Sequence, residues 1–405
     1  KSAELDREMA EIEACSARLR DAHLPMLRQA AAMLQAAAPF AALSGTLRSR
    51  GALVRLEGWV PERELDALKS RLARMLDAFH LESRRPLPEE LATVPSVQRY
   101  PSWIRPFADL VHGYGTPRYD EFDPTWLFAV TFTLMFGMMF GDVGHGLMIA
   151  GAAWLLRDKL GHFTRFGILA GLSSTIFGFL YGSIFGFEHI MHPLWMSPLS
   201  DPMHLLMLAL FWGIGFILLA TALSAWNLWR RGNVRKALLG VKGVAGLLFY
   251  LGGLFVMARL AGGQEVGWTG TLAVVVPLAA ILAEVWRETT ASVGERVLVT
   301  FMEGFEAVMG YVSNTLSFLR VAAFSLNHAA LAIAVMTLAG MLDTAGHWIT
   351  IVIGNIIILV LEGGIVLIQV LRLEYYEGFA RFFSGDGRAY RPLTLNAATG
   401  GRSGK

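Results

Sequence analysis

From Thr125 onward the sequence is built of long runs that contain no Asp, Glu, Lys or Arg, and this limits the possible fold more than any other feature. The runs cover 125–141, 143–156, 166–187, 205–229, 243–258, 266–283, 321–342, 344–361 and 363–371. A helix needs about 20 apolar residues to cross the hydrocarbon core of a bilayer. The last two runs are separated only by Glu362 and read as one, which gives eight spans. The whole chain agrees: 54% of its 405 residues are hydrophobic and its mean hydropathy is +0.47, values of a polytopic membrane protein. Its 42 glycines suit close helix packing in lipid.

The first two runs are short, and the placement of cations decides how they are read. Cytoplasmic loops are rich in Lys and Arg. Arg157, Lys159 and Arg165 share one loop, Arg230, Arg231, Arg235 and Lys236 another, and Arg287 and Arg296 a third. Arg381, Arg388 and Arg391 follow the last span, whereas 187–204 and 343–348 hold no Lys or Arg and 259–270 only Arg259. With a cytoplasmic N-terminal region, the 157–165 loop is cytoplasmic only if 125–156 crosses twice. The turn Gly141–Gly146 is then expected to be exposed on the outer face, with both termini cytoplasmic.

Residues 1–122 are polar. Leu5, Ile12, Leu19, Met26 and Met33 recur every seven residues, a seam that needs a partner helix, and Pro25 is expected to kink or end this helix. The chain opens on Lys1 without a signal segment and is expected to lack some N-terminal sequence, the partner helix included. Leu53–Val60 alternates like a strand, and Pro61 opens a helix to about Phe79. Pro86, Pro88, Pro95, Pro101, Pro106 and Pro117 predict an irregular linker to the membrane. The expected architecture is an all-α polytopic membrane domain of eight helices over 123–385, the last two long and tilted. A cytoplasmic α/β arm with a coiled coil (1–122) precedes it and a cytoplasmic tail (386–405) follows. Cys15 is the only cysteine, so no internal disulfide forms.

The ionisable residues within the last spans carry the functional signal. A charge near the bilayer centre costs about 2.5–3.5 kcal/mol or more, so each one asks for a role. Arg320 lies in the helix expected over Tyr311–Leu342, with His328 about 12 Å further outward. Arg372 lies in His347–Phe383, with Glu362 about 15 Å outward of it. Both arginines then fall at mid-depth and His328, Glu362 and Asp142 toward the outer side. Glu306 falls on the cytoplasmic side, in a stretch (292–311) too polar for an ordinary span. A polar outer path, a cationic middle and a polar inner opening describe an ion route rather than a structural ion pair.

These residues sit in strings that resemble a known family. Ser313-Asn-Thr-Leu-Ser-Phe-Leu-Arg-Val-Ala-Ala-Phe-Ser-Leu-Asn-His328 is similar to the signature of the stator subunit of V-type and archaeal-type rotary ATPases, subunit a or subunit I, the 116 kDa subunit family. Leu371-Arg-Leu-Glu-Tyr-Tyr-Glu377 with Phe382-Phe-Ser-Gly-Asp-Gly387 resembles its C-terminal signature, Phe136–Gly146 its first hairpin, and Leu56-Glu-Gly-Trp-Val-Pro61 a motif of its cytoplasmic domain. The resemblance implies that Arg320 and Arg372 face rotor carboxylates. It makes Glu362, His328 and Asp142 outer half-channel positions and Glu306 an inner one. Implied partners are a membrane ring of rotor proteolipid subunits, peripheral-stalk and central-stalk subunits, and the lipid bilayer, in a prokaryotic inner membrane. Val321-Ala-Ala-Phe departs from the family's usual run after Arg320 but keeps the charges.

Other signals are weaker. Gly141-Asp-Val-Gly-His-Gly146 lacks the dinucleotide spacing, and Gly137 and Gly141 read as helix contacts. Gly400–Lys405 resembles a phosphate loop, but Thr399 stands where its first Gly belongs, so it reads as a flexible or non-native tail. His189 and His192 have only Glu188 beside them and read as an exposed loop. No catalytic, cofactor, metal or nucleic-acid site is assigned. The rival reading, a self-contained secondary transporter, predicts repeated halves with matching broken helices, whereas the ionisable residues here cluster in the last third.

Overall fold

A computed structural model describes residues 2–50, 53–187, 192–290 and 292–392; Glu188, His189 and Gly400–Lys405 lie outside these. Two compact units form, one spanning Arg85–Ala389 and a smaller one that includes Lys1–Arg84. In the smaller unit α1 runs over Ser2–Thr46, so the helix continues through Pro25 instead of ending there. Its alanine-rich sequence supplies the propensity that outweighs one lost backbone bond. Ile12, Leu19, Met26 and Met33 of the heptad seam are all more than half exposed. Strands β1 (Leu47–Arg50) and β2 (Leu53–Leu56) pair antiparallel with Leu47 opposite Leu56. The second strand therefore stops before Gly58, and Pro61 leads into a single 3₁₀ turn and then α2, Leu65–Met75.

The larger unit begins with a short parallel pairing of β3 (Pro95–Ser96) on β4 (Arg388–Ala389). The stretch expected to be irregular holds a helix, α3 (Arg105–Tyr114), whose Pro106 sits in the first turn, where no backbone N–H is required. Phe107 and Val111 on its inner face are buried, and the Phe107 ring meets Phe128, Phe132 and Phe166. Helix α4 (Thr125–Met139) and α5 (Val143–Leu155) are joined by a three-residue turn, and each packs on α7. A short α6 (Arg157–Leu160) leads to α7 (Thr164–Tyr181), followed by α8 (Pro202–Arg230), α9 (Val234–Leu239), α10 (Val244–Ala261) and α11 (Gly267–Glu288). Then come α12 (Val293–Ser317) and α13 (Leu319–Gly340), joined at Phe318. The last long helix comprises α14 (Thr344–Ile357), a π-helical turn at Ile358–Glu362, α15 (Gly363–Arg372), a second π-helical segment at Leu373–Phe379 and α16 (Ala380–Phe382).

Among the described residues six helices are long and apolar enough to cross a membrane: Arg157–Tyr181, Pro202–Arg230, Val234–Ala261, Gly267–Glu288, Val293–Gly340 and Thr344–Phe382. The chain is thus an all-α integral membrane protein in this part. Helices α4 and α5 are about 22 and 20 Å long at 1.5 Å per residue, shorter than the six. The span that carries Arg320 starts at Val293 rather than Tyr311, α12 running on into α13 through Phe318, because the polar stretch before it stays helical with Glu295, Glu303 and Glu306 on its exposed side. Arg381 belongs to the end of the last helix instead of the loop beyond it; its guanidinium stacks 4.5 Å from the Tyr311 ring centroid.

Two sequence patterns organise this core. Phe128, Phe132 and Phe136 recur every fourth residue on α4, Phe140 continues the spacing at its C-cap, all four are buried, and α4 packs on α7, α13 and α15. Glycines let α5 and α7 touch backbone to backbone. A Cβ at Gly178 would lie 2.3 Å from the Val143 nitrogen, and one at Gly146 2.6 Å from the Thr175 nitrogen. Gly137 and Gly141 are likewise helix contacts, against Ser173 and Tyr181.

Candidate functional site

Asp142 terminates the α4–α5 turn as the N-cap of α5. Its Oδ1 accepts from the backbone N–H of His145 (2.9 Å) and Phe185 (3.1 Å); its Oδ2 accepts from Ser183 Oγ (2.7 Å) and Gly186 N–H (3.2 Å). Four donors thus engage this carboxylate, two on each oxygen. They also fasten the 183–187 loop over the turn, holding Phe185 at φ 50°, a conformation that costs a non-glycine residue about 1–2 kcal/mol. Gly141–Gly146 is therefore buried throughout, and the exposed outer turn expected from the cation pattern is corrected.

Beneath this loop lies a cluster of histidines and carboxylates. His145 is fully buried, with Nδ1 3.1 Å from Asp142 Oδ1 and its ring 5.4 Å from that of His328. His328 on α13 is buried against Phe140, and its Nδ1 lies 2.7 Å from Glu362 Oε2. Asn327 Nδ2 donates to the other oxygen, Oε1, at 3.1 Å. Glu362 closes the first π-helical turn of the last helix; such an inserted residue shifts the helix face and aims this carboxylate at α13. The fold thus brings Asp142, His328 and Glu362 together from three separate segments.

The arginines form a second group. Arg320 occupies the first turn of α13, directly after the junction at the fully buried Phe318, two helical turns before His328. It is half-buried, its Nη1 is buried without a hydrogen-bond partner, and it lies within Coulombic range of Arg372 and Glu377. Arg372 ends α15 and is exposed. Glu377, buried in the second π-helical segment, lies within Coulombic range of both arginines. Glu374, one turn earlier, is 1% exposed, and its Oε1 has no partner. Glu306 stands apart from both groups, exposed on α12 beside a shallow groove that it lines with Ser313 and Asn314.

His145, Asn327, Ser183, Glu374 and Glu377 escaped the sequence reading. His145 was legible as the third residue after a helix-capping Asp. Glu374 and Glu377 share the Leu371–Glu377 string and one helix face with each other. Ser183 lies in a loop with no pattern of its own, and only the fold brings it to Asp142.

Comparison with known proteins places these elements. The model of the V-type ATPase 116kDa subunit family matches residues 40–189 and 283–395, which include the α4–α5 hairpin and both charged helices. The chain is 27% identical over 364 residues to the A-type ATP synthase subunit I of Pyrococcus abyssi, covering 84% of this chain and 53% of the relative. Subunit I of Methanocaldococcus jannaschii is 28% identical over 386 residues (84% and 55%), and that of Archaeoglobus fulgidus 28% over 420 residues (86% and 59%). The chain spans about half the length of the curated relatives it matches.

Proposed function

Because the chain belongs to the V-type ATPase 116kDa subunit family, we propose that it is the membrane stator subunit of a rotary ATPase and guides ions to and from a ring of rotor subunits. The observation that carries this reading is the buried His328–Glu362 contact two helical turns from Arg320, with Asn327 donating to the second carboxylate oxygen and Asp142 and His145 alongside. Buried titratable groups linked across helices are costly in a membrane and mark ion pathways.

An ion enters the outer half-channel past Asp142, His328 and Glu362 and binds a rotor carboxylate. The turning ring carries it through lipid. It leaves toward Glu306 on the inner side when Arg320, supported by Arg372, competes for that carboxylate. Two opposite charges about 4 Å apart at an effective dielectric near 20 attract by about 4 kcal/mol, enough to favour an ionised rotor carboxylate facing the stator. A guanidinium stays charged at any physiological pH, so Arg320 also blocks a direct leak between the half-channels. Each ion crossing about 100 mV exchanges about 2.3 kcal/mol, so several accompany each ATP. ATP chemistry itself belongs to partner subunits reached through the central and peripheral stalks.

In this reading α4 and α5 complete eight spans, with 1–122 and 386–405 on the cytoplasmic side of an inner membrane. Contacts of α4 with α7, α13 and α15 support the short hairpin, since backbone buried in protein is tolerated at membrane depth. Purification of the full chain from its native membrane tests the proposal. Recovery with a ring of small membrane subunits is expected, and recovery as a free-standing transporter that moves ions alone in vesicles would refute it.

A further inference from the structure

Asp142, His145 and His328 group three side chains that can each ligate a transition metal. One ligand atom from each residue lies within 4.8 Å of the other two, and all three residues are buried. His145 is 0% exposed; its Nδ1 lies 3.1 Å from Asp142 Oδ1, within ion-pair distance, and its buried Nε2 has no hydrogen-bond partner. His328, 3% exposed, engages Glu362 through Nδ1 and keeps a buried, unpartnered Nε2. Buried polar atoms left without partners ask for an occupant. Neighbouring donors around a tetrahedral zinc ion with bonds of about 2.0–2.1 Å stand about 3.3 Å apart, close to the spacing of His145 Nδ1 and Asp142 Oδ1.

We propose that His145, His328 and Asp142 bind a divalent transition-metal ion of the zinc class, with the Glu362 carboxylate accepting from His328 Nδ1 and holding its ring. Imidazole donors select such ions over magnesium and calcium. The Glu362–His328 contact fixes the ring so that Nε2 is the free donor, the arrangement that orients histidines in metal centres. Binding would draw these donors, which lie within 4.8 Å of one another, to the spacing of about 3.3 Å of a tetrahedral shell, with water completing it. The inference stands on this geometry and does not depend on the transport role proposed above. If both hold, a bound ion occupies the outer route and zinc lowers ion uptake.

Zinc binding to the full chain purified in detergent tests this by titration calorimetry and by X-ray absorption at the zinc edge. The wild type is expected to bind one zinc per chain with two imidazole donors. His145→Gln and His328→Gln each weaken binding by at least about tenfold, and Glu362→Gln by about 10–100-fold, as loss of the carboxylate that orients a ligating histidine does. His204→Gln, at an exposed histidine paired with Asp201, leaves binding unchanged. Absence of binding in the wild type, or binding that both cluster variants retain, overturns the proposal. If the variants lose their helical circular dichroism, the wild-type absorption spectrum decides, and a shell without imidazole overturns it.

Discussion

His328 Nδ1 and Glu362 Oε2 meet at 2.7 Å although the residues lie 34 positions apart, closing α13 onto the π-helical turn of the last helix. Asn327 holds the second carboxylate oxygen, so Glu362 is fixed at both ends. Positional fixity of a titratable group is what a relay requires.

Glu362→Gln keeps the shape and can still accept from His328, but it carries no charge. Ion uptake by the assembled complex is expected to fall strongly with assembly unchanged, and Glu362→Asp to retain part of it. Uptake into vesicles and recovery of the complex measure the two effects. Equal losses accompanied by disassembly would make Glu362 a structural residue.

Gly178→Ala places a Cβ 2.3 Å from the Val143 nitrogen and 2.5 Å from the Asp142 carbonyl carbon, backbone atoms that cannot step aside. A loss of about 1–3 kcal/mol is expected, read as a lower unfolding temperature in detergent. Gly215→Ala has open space around its Cβ and is the matched control, expected to change little.

Asn227 ties three segments together. Its Oδ1 accepts from Phe122 N–H at 3.0 Å and its Nδ2 donates to the Phe382 carbonyl at 2.9 Å. Nearby, Arg231 lies 3.3 Å from Glu121, which accepts from the Ser384 N–H. Asn227→Ala leaves a buried donor and a buried acceptor unpaired and is expected to cost about 1–3 kcal/mol by the same thermal measurement.

The topology was legible where hydropathy alone decides. The runs 205–229, 243–258 and 266–283 correspond to α8, α10 and α11. Boundaries set by polar helix turns were not: 292–311 reads as too polar to span, yet it remains one helix up to Phe318. In the site, charge in an apolar run exposed Arg320, Glu362 and Arg372. The π-helical turns left no mark, because a one-residue insertion in a helix changes no residue's propensity. The burial of Gly141–Gly146 depends on the 183–187 loop, whose capture by Asp142 is a tertiary event.

A cysteine at Lys159, in a Cys15→Ser background, tests the double-crossing hairpin. In sealed vesicles it is expected to react only with reagent on the cytoplasmic side. Labelling from the opposite side alone would mean that α4 and α5 do not cross as a pair.

In the proposed mechanism Arg320 acts as the fixed positive charge between two half-channels. ATP-driven ion uptake by vesicles carrying the assembled complex with Arg320→Gln tests it most directly. The complex is expected to assemble fully and to take up no ions above background. Near-normal uptake by that variant would show that Arg320 does not have this role.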